Sequence, residues 1–180
     1  MKERITQKSK GFTLVELLIV IVVIGILSAM MMLSSSEAVS SAKATAIVSD
    51  MRNIKTAALA YFADHPDDYI TKKADKGQKI EGDNGVWDEI MNYLNGKDFP
   101  NKKSYKLQAS DDGSSWYVVC NVGGNNNPLL TGSEAESVKK KLIGRAKSVG
   151  LLAGRYNFGV ETKSFDGTGS NPDTIYMLVQ

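Results

Sequence analysis

The stretch Lys10-Gly11-Phe12-Thr13-Leu14-Val15-Glu16-Leu17-Leu18-Ile19-Val20 joins a basic N-terminus to a long apolar run. That run continues from Phe12 to Leu33, and Glu16 is its only charged residue. A helix of roughly 20 apolar residues crosses a bilayer core about 30 Å thick, so the run is long enough to span a membrane. A carboxylate inside such a segment costs on the order of 2.5–3.5 kcal/mol on insertion scales, and we therefore interpret Glu16 as functional.

The charge of the 180-residue chain is unevenly distributed. Residues 1–11 contain four basic and one acidic side chain, a local charge of +3, whereas the remainder contains 18 basic and 19 acidic side chains, a charge of −1. Positive charge before an apolar helix stays on the cytoplasmic side, so we expect the N-terminus inside and the residues after the run across the membrane. The nearly neutral remainder argues against nucleic acid as a partner.

Two general interpretations of this N-terminus are a secretory signal peptide and a plain membrane anchor. A signal peptide would use a small-residue cleavage site such as Leu27-Ser28-Ala29. The apolar run is longer than the usual 7–15-residue apolar region of a signal peptide, however, and it contains Glu16. A plain membrane anchor agrees with the length of the apolar run, but it does not explain why Glu16 is present.

A third interpretation comes from the residues themselves, because Gly11-Phe12-Thr13-Leu14-Val15-Glu16 closely resembles the prepilin signature of type IV pilins and type II secretion pseudopilins. The resemblance implies that a prepilin peptidase removes residues 1–11 as a leader, cutting between Gly11 and Phe12 on the cytoplasmic face. The same enzyme would then methylate the new amino group of Phe12. Glycine presents no side chain to an approaching protease.

The resemblance also gives Glu16 a role. A free amine on Phe12 at the edge of hydrocarbon is costly, and the Glu16 carboxylate of a neighbouring subunit lowers that cost by pairing with it. In the family this pair is thought to set the axial register of the fibre. We therefore expect Glu16→Ala to insert in the membrane at least as well as the native chain and to assemble poorly.

Function follows from the same resemblance. The chain is expected to be a structural subunit of a type IV pilus-like filament, held before assembly as a single-pass protein of the inner membrane and afterwards extracellular or periplasmic. Expected partners are identical or related pilin subunits, the prepilin peptidase and methyltransferase, the inner-membrane assembly platform and membrane lipid. The alternatives are a pseudopilin of a type II secretion or DNA-uptake system, and a membrane-anchored binding domain that does not polymerise.

The apolar run begins a longer helix. Residues 12–33 are expected to form its membrane and assembly half, and residues 34–63 an amphipathic half ending before Pro66. A buried stripe is predicted for the second half at Ile47, Met51, Ile54, Ala58 and Phe62. The alternative is a separate helix after a break at Ser34-Ser35-Ser36. The family usually carries a proline near the position of Leu33, and this chain departs from it there.

Residues 64–180 are expected to form a globular head in which a small antiparallel sheet packs on the second half of the helix, an α+β fold. The pattern predicts a polar loop over 64–85, a helix over 86–94, a hairpin of strands 105–109 and 116–120, and a final strand over 174–179. Ser133 and Glu136 predict a capping box that opens a helix ending near Val149, and a further strand is predicted around Tyr156–Phe158.

No catalytic constellation is recognisable, and neither an enzyme activity nor a cofactor is expected. Cys120 and His65 each stand alone; Cys120 is interpreted as a small buried residue in a strand. Asp166 and Asp173 flank a glycine-rich segment and are weak candidates for a calcium site, with a plain turn favoured. The run Lys139-Lys140-Lys141 is interpreted as a solvated helix face, with DNA binding, as in competence-type pilins, as the less favoured alternative.

Overall fold

The structure, a computed structural model, describes residues 11–66, 79–80, 85–94, 102–110, 115–124, 127–154, 163–169 and 171–179. The chain divides into two compact units, Met1–Val39 and Ser40–Gln180, and we call the second unit, with the part of the long helix that it contains, the head. Its elements in chain order are α1 (Leu14–Asp64), β1 (Lys79–Ile80), α2 (Gly85–Asn92), a 3₁₀ turn (Lys102–Ser104), β2 (Tyr105–Ala109), β3 (Trp116–Asn121), α3 (Gly132–Val149), β4 (Leu151–Leu152) and β5 (Thr174–Leu178).

Helix α1 is continuous over 51 residues and passes through the serine run at 34–36. The prediction of one long helix is thereby confirmed, and the alternative of a separate helix after a break is wrong. The predicted stripe is also confirmed, because its five members are between 0 and 7% exposed: Ile47, Met51, Ile54, Ala58 and Phe62. Spacings of three and four residues place these side chains on one helix face.

The strands form one antiparallel sheet in the order β1-β2-β3-β5-β4. The hairpin β2–β3 pairs Tyr105 with Cys120 and Ala109 with Trp116, and β5 lies on the other side of β3 with Met177 opposite Val118. The predicted hairpin and final strand are confirmed. The turn at 111–114 and the strand predicted around Tyr156–Phe158 lie outside the described residues.

The core of the head lies between the second half of α1 and one face of the sheet. Alternate strand residues point to opposite faces, so Val118 and Cys120 join the cluster with α1 while Tyr117 and Val119 form a second cluster on the other face. Helix α2 contributes Trp87, Ile90 and Met91 to the first cluster. A long helix packed by its second half on a small antiparallel sheet confirms the α+β, pilin-like fold class.

Helix α3 closes the head against α1 with both apolar and polar contacts. Its buried residues are Ala135, Val138, Leu142 and Ala146. The Arg145 guanidinium donates to Thr45 Oγ1 and Ser41 Oγ, each at 2.7 Å, and Lys43 forms an ion pair with Glu134. The helix ends at Gly150, whose φ of 80° lies in the left-handed region that glycine adopts without strain.

Two predictions about the head are wrong. The segment 64–85 is not wholly a loop, because Lys79 and Ile80 pair with Gln108 and Leu107 of β2. Ser133 and Glu136 do not form a capping box. The residue before α3 is Thr131, which makes no side-chain hydrogen bond to the helix, while the Glu136 carboxylate accepts a hydrogen bond from Lys139. The chain enters α3 two residues earlier than the pattern indicated.

Candidate functional site

The N-terminal end of α1 is closed by a reciprocal pair of hydrogen bonds between Thr13 and Glu16. The first helical residue is Leu14, so Thr13 occupies the N-cap position and Glu16 the third helical position. The Glu16 backbone N–H donates to Thr13 Oγ1 at 3.2 Å, and the Thr13 backbone N–H donates to Glu16 Oε2 at 2.8 Å. This is a capping box, and it satisfies two of the backbone donors that every helix start leaves unpaired.

The Glu16 carboxylate is thereby held over the first turn with one oxygen engaged. A second donor, the Thr13 hydroxyl, also reaches Oε2, at 2.9 Å. Within the described part of the chain, Oε1 has no hydrogen-bond donor. The negative charge lies at the helix end where the backbone dipole favours anions. The arrangement therefore fixes the carboxylate in position and leaves Oε1 without a donor among the described residues.

Gly11 and Phe12 precede the helix and are accessible. Neither has helical structure, and the Phe12 side chain is 93% exposed. A side chain placed at Gly11 would meet no other atom within 4 Å, so nothing in the described chain requires glycine there. The predicted reason for glycine, close approach by a peptidase, lies outside the chain and remains a prediction.

The first half of α1 presents apolar side chains on all sides. The large apolar residues from Phe12 to Met32 are between 49 and 93% exposed. Among the described residues α1 is the one helix long and apolar enough to cross a membrane, and none of its most apolar stretch is buried within the chain. An apolar surface of this extent in a single chain indicates contact with lipid or with other protein.

Sequence reasoning identified Glu16 and missed Thr13. The signal was present, because Thr13-Leu14-Val15-Glu16 has the spacing of a threonine capping box directly before an apolar run. The structure adds a second use for this carboxylate within its own chain.

The weak calcium candidates each have another contact. The Asp166 carboxylate accepts hydrogen bonds from the backbone N–H and the hydroxyl of Thr168, which lower its pKa. The Asp173 carboxylate accepts from Lys139 Nζ at 2.8 Å. Across the ranges that the structure describes, no group of three or more His, Cys, Asp or Glu side chains is placed to hold a metal ion.

Lys139 departs from its prediction as a solvated residue. Its ammonium bridges the carboxylates of Glu136 and Asp173, and these hydrogen bonds raise its pKa. It thus ties α3 to the residue before β5. Cys120 is buried in β3 as predicted, and burial raises the pKa of its thiol, so the reactive thiolate is disfavoured. His65 stacks on the ring of Tyr61 with 4.4 Å between centroids.

Comparison with known proteins identifies the N-terminal region. Residues 6–32 match the family model described as the prokaryotic N-terminal methylation motif. This motif is the hallmark of prepilin-like proteins, the precursors of type IV pilins and pseudopilins. The match includes the site residues Gly11, Phe12, Thr13 and Glu16 and the first part of α1. No curated protein and no solved structure gives a significant match to the chain.

Proposed function

We propose that this prepilin-like chain is a structural subunit of a type IV pilus-like filament, held in the inner membrane by the first half of α1 until it is assembled. The methylation motif over residues 6–32 is the premise. The α+β head on the second half of α1 is the kind of domain that such a filament displays on its surface.

The observation that carries the proposal is the exposed apolar half of α1. Full burial of one large aliphatic side chain is worth about 1.5–3 kcal/mol, so a helix with apolar residues on every side cannot stay in water. Lipid covers this surface in the monomer. The packed helices of neighbouring subunits cover it in a filament, which explains why apolar residues surround the helix instead of forming a single stripe.

Processing would begin at the accessible peptide bond between Gly11 and Phe12. Cleavage by a prepilin peptidase removes the basic leader and leaves a cationic amine on Phe12, one residue before Thr13. The capping box keeps the Glu16 carboxylate at the same end of the helix, with Oε1 open to an incoming donor. A Phe12 amine of a neighbouring subunit is the donor that we assign to it.

Glu16 then serves both the monomer and the filament. Its bond with Thr13 offsets the cost of unpaired helix donors, and its charge offsets the cost of the neighbour's amine in an apolar surrounding. An ion pair that must be satisfied between subunits admits few alternative alignments of the helices. Fixing register is one of the better attested uses of a buried polar group.

Electron microscopy of sheared surface material tests the proposal. Cells that express the chain are expected to yield filaments labelled by antibody against residues 40–180, and cells that express Glu16→Ala to yield the same amount of membrane-held chain without filaments. Short fibres confined to the cell envelope would instead assign the chain to a pseudopilus. Membrane-held chain without any fibre in either fraction would contradict the proposal and favour an anchored binding domain.

A further inference from the structure

The described part of the head contains an open cleft. It has a volume of about 470 Å³ and lies where α1, the end of α3 and β5 meet. We call it the basic cleft; it is bordered by Arg52, Lys55, Thr56, Val149, Met177 and Leu178. Met177 is buried beneath it, whereas Leu178 is 42% exposed. The cleft thus combines two cations with apolar surface.

The two cations of the basic cleft have no partners in the chain as described. Some basic side chains of the head have acidic partners, as Lys43 does in Glu134 and Lys139 in Glu136 and Asp173. Arg52 and Lys55, by contrast, make neither an ion pair nor a side-chain hydrogen bond within the described ranges. Two cations one helical turn apart on α1 repel each other, and an incoming anion would relieve that repulsion.

A surface with the opposite character lies at the far end of α1. We call it the acidic patch; it consists of Asp64, Glu89, Asn92 and Tyr93. The Tyr93 hydroxyl donates to Asp64 Oδ2 at 2.7 Å, and this bond, with the charges of Asp64 and Glu89, raises the pKa of Tyr93. The Tyr93 side chain is 39% exposed, and the Glu89 carboxylate has no hydrogen bond or ion pair among the described residues.

We propose that the basic cleft of one subunit receives the acidic patch of a second copy of this chain. The inference rests on the proposed function, since it assigns the contact between heads in the filament. Charges are complementary across the contact, with Arg52 and Lys55 facing Glu89, and each surface adds an exposed apolar or aromatic side chain, Leu178 or Tyr93. Because the two surfaces are different, the contact is head-to-tail and repeats without closing into a dimer, as a filament requires.

The position of the two surfaces on one helix gives the contact a measurable geometry. Asp64 follows Thr56 by eight residues and Arg52 by twelve, all within α1. At 1.5 Å per residue, the surfaces are offset along the helix by about 12–18 Å. Two subunits with parallel α1 helices must therefore be displaced along the helix direction by about this distance for the contact to form.

Cysteine crosslinking in assembled filaments tests the contact. The variant with Thr56→Cys and Asn92→Cys retains all the charges of both surfaces, and Cys120 is buried. A short thiol crosslinker is expected to produce a ladder of multimers from filaments of the double variant. Either single variant alone gives none, because a head-to-tail contact joins unlike surfaces. Thr56→Cys combined with Lys140→Cys, an exposed position on α3, is the matched control.

Charge reversal gives the second measurement. Arg52→Glu with Lys55→Glu is expected to lower filament yield at least about tenfold while the membrane-held chain stays at its normal level, because like charges then face each other across the contact. Adding Glu89→Lys is expected to restore yield to within about threefold of the native chain, since opposite charges again face each other. Lys140→Glu, which changes charge outside the cleft, is expected to assemble normally.

The outcomes separate this contact from the function on which it rests. A ladder together with rescue by Glu89→Lys supports it. The contact is overturned if filaments form but the double cysteine variant gives no ladder, and if the variant with Arg52→Glu and Lys55→Glu assembles at native yield. The proposed function would then still stand. A crosslink from Thr56→Cys to a different protein also overturns it. A native chain that forms no filament under any condition overturns the function and the contact together.

Discussion

At the scale of single residues, Glu16 has two uses that different substitutions separate. Glutamine at the third helical position still completes a capping box but carries no charge. We therefore expect Glu16→Gln to retain the protected helix start seen by hydrogen exchange at the Thr13 amide, and to lose filaments as Glu16→Ala does. Filament yield at equal membrane level is the measurement. Normal assembly of Glu16→Gln would show that the carboxylate serves the cap and nothing else.

Thr13→Val makes the converse change. Valine has nearly the same shape and lacks the hydroxyl that accepts from the Glu16 backbone N–H. Loss of an N-cap side chain costs about 0.5–2 kcal/mol of helix stability, so the first turn of α1 is expected to fray. Faster hydrogen exchange at the Glu16 amide in detergent checks this. Unchanged exchange would mean that the bond between Thr13 and Glu16 does not stabilise the helix start.

Asp50 in the core-facing half of α1 gives a pH prediction. Partial burial raises its pKa, while the hydrogen bond from the Tyr105 hydroxyl at 3.2 Å opposes that rise. A pKa above the unfolded value means that the folded state binds the proton more tightly, so the free energy of unfolding rises as pH falls through that pKa. Asp50→Asn is expected to remove this contribution, which grows as the pH falls from neutral towards the ordinary Asp pKa of about 3.9, and to be at least as stable at neutral pH. Chemical denaturation of both chains over that range measures the difference; the same pH dependence of stability in the native chain and in Asp50→Asn would contradict this role of Asp50.

Among elements, α3 depends on its polar contacts with α1 as well as on its buried face. Arg145→Ala removes both hydrogen bonds to Ser41 and Thr45, and we expect a loss of about 1–2 kcal/mol in the free energy of unfolding. Lys140→Ala, exposed on the same helix, is the control and should change it by less than about 0.5 kcal/mol. Denaturant unfolding measures both variants. Equal effects of the two substitutions would show that the hydrogen bonds of Arg145 do not stabilise the packing of α3 on α1.

The same elements mark how far sequence reasoning reaches. The stripe on α1 and the hairpin were predictable because repeated apolar spacing over many residues leaves one solution, a helix face or an alternating strand. Strands of two residues such as β1 and β4 have no period to detect, so their pairing and the strand order could not be predicted. The start of α3 was predicted two residues too late. Thr131, Ser133 and Glu136 are all residue types found in helix caps, and the sequence alone does not decide at which of them the helix begins. The Glu136 carboxylate accepts a hydrogen bond from Lys139 instead of capping the helix.

The site was predictable to a different degree. Gly11, Phe12 and Glu16 stand out in the sequence because they match a prepilin-like signature and because a carboxylate inside an apolar run is costly. The basic cleft could not be predicted, since its residues come from α1, the end of α3 and β5, which only the fold brings together. Its two cations look like any solvated helix charge in the sequence.

For the whole molecule, the two compact units predict different solubilities. Residues 40–180 include the core cluster and the whole sheet, whereas the exposed apolar side chains of residues 12–32 lie in the other unit. Removal of residues 1–39 is therefore expected to give a water-soluble head that unfolds cooperatively. The full chain should leave membranes only with detergent, not with high salt. A truncated head that still needs detergent would contradict the assignment of the apolar surface to α1.

The central claim is that the chain is cut and modified as a filament subunit, and mass spectrometry of the mature N-terminus tests it most directly. The predicted result is a mature protein that begins at Phe12 with a methylated amino group. An intact N-terminus at Met1, or a start near Met30 as signal-peptide cleavage would produce, would contradict it.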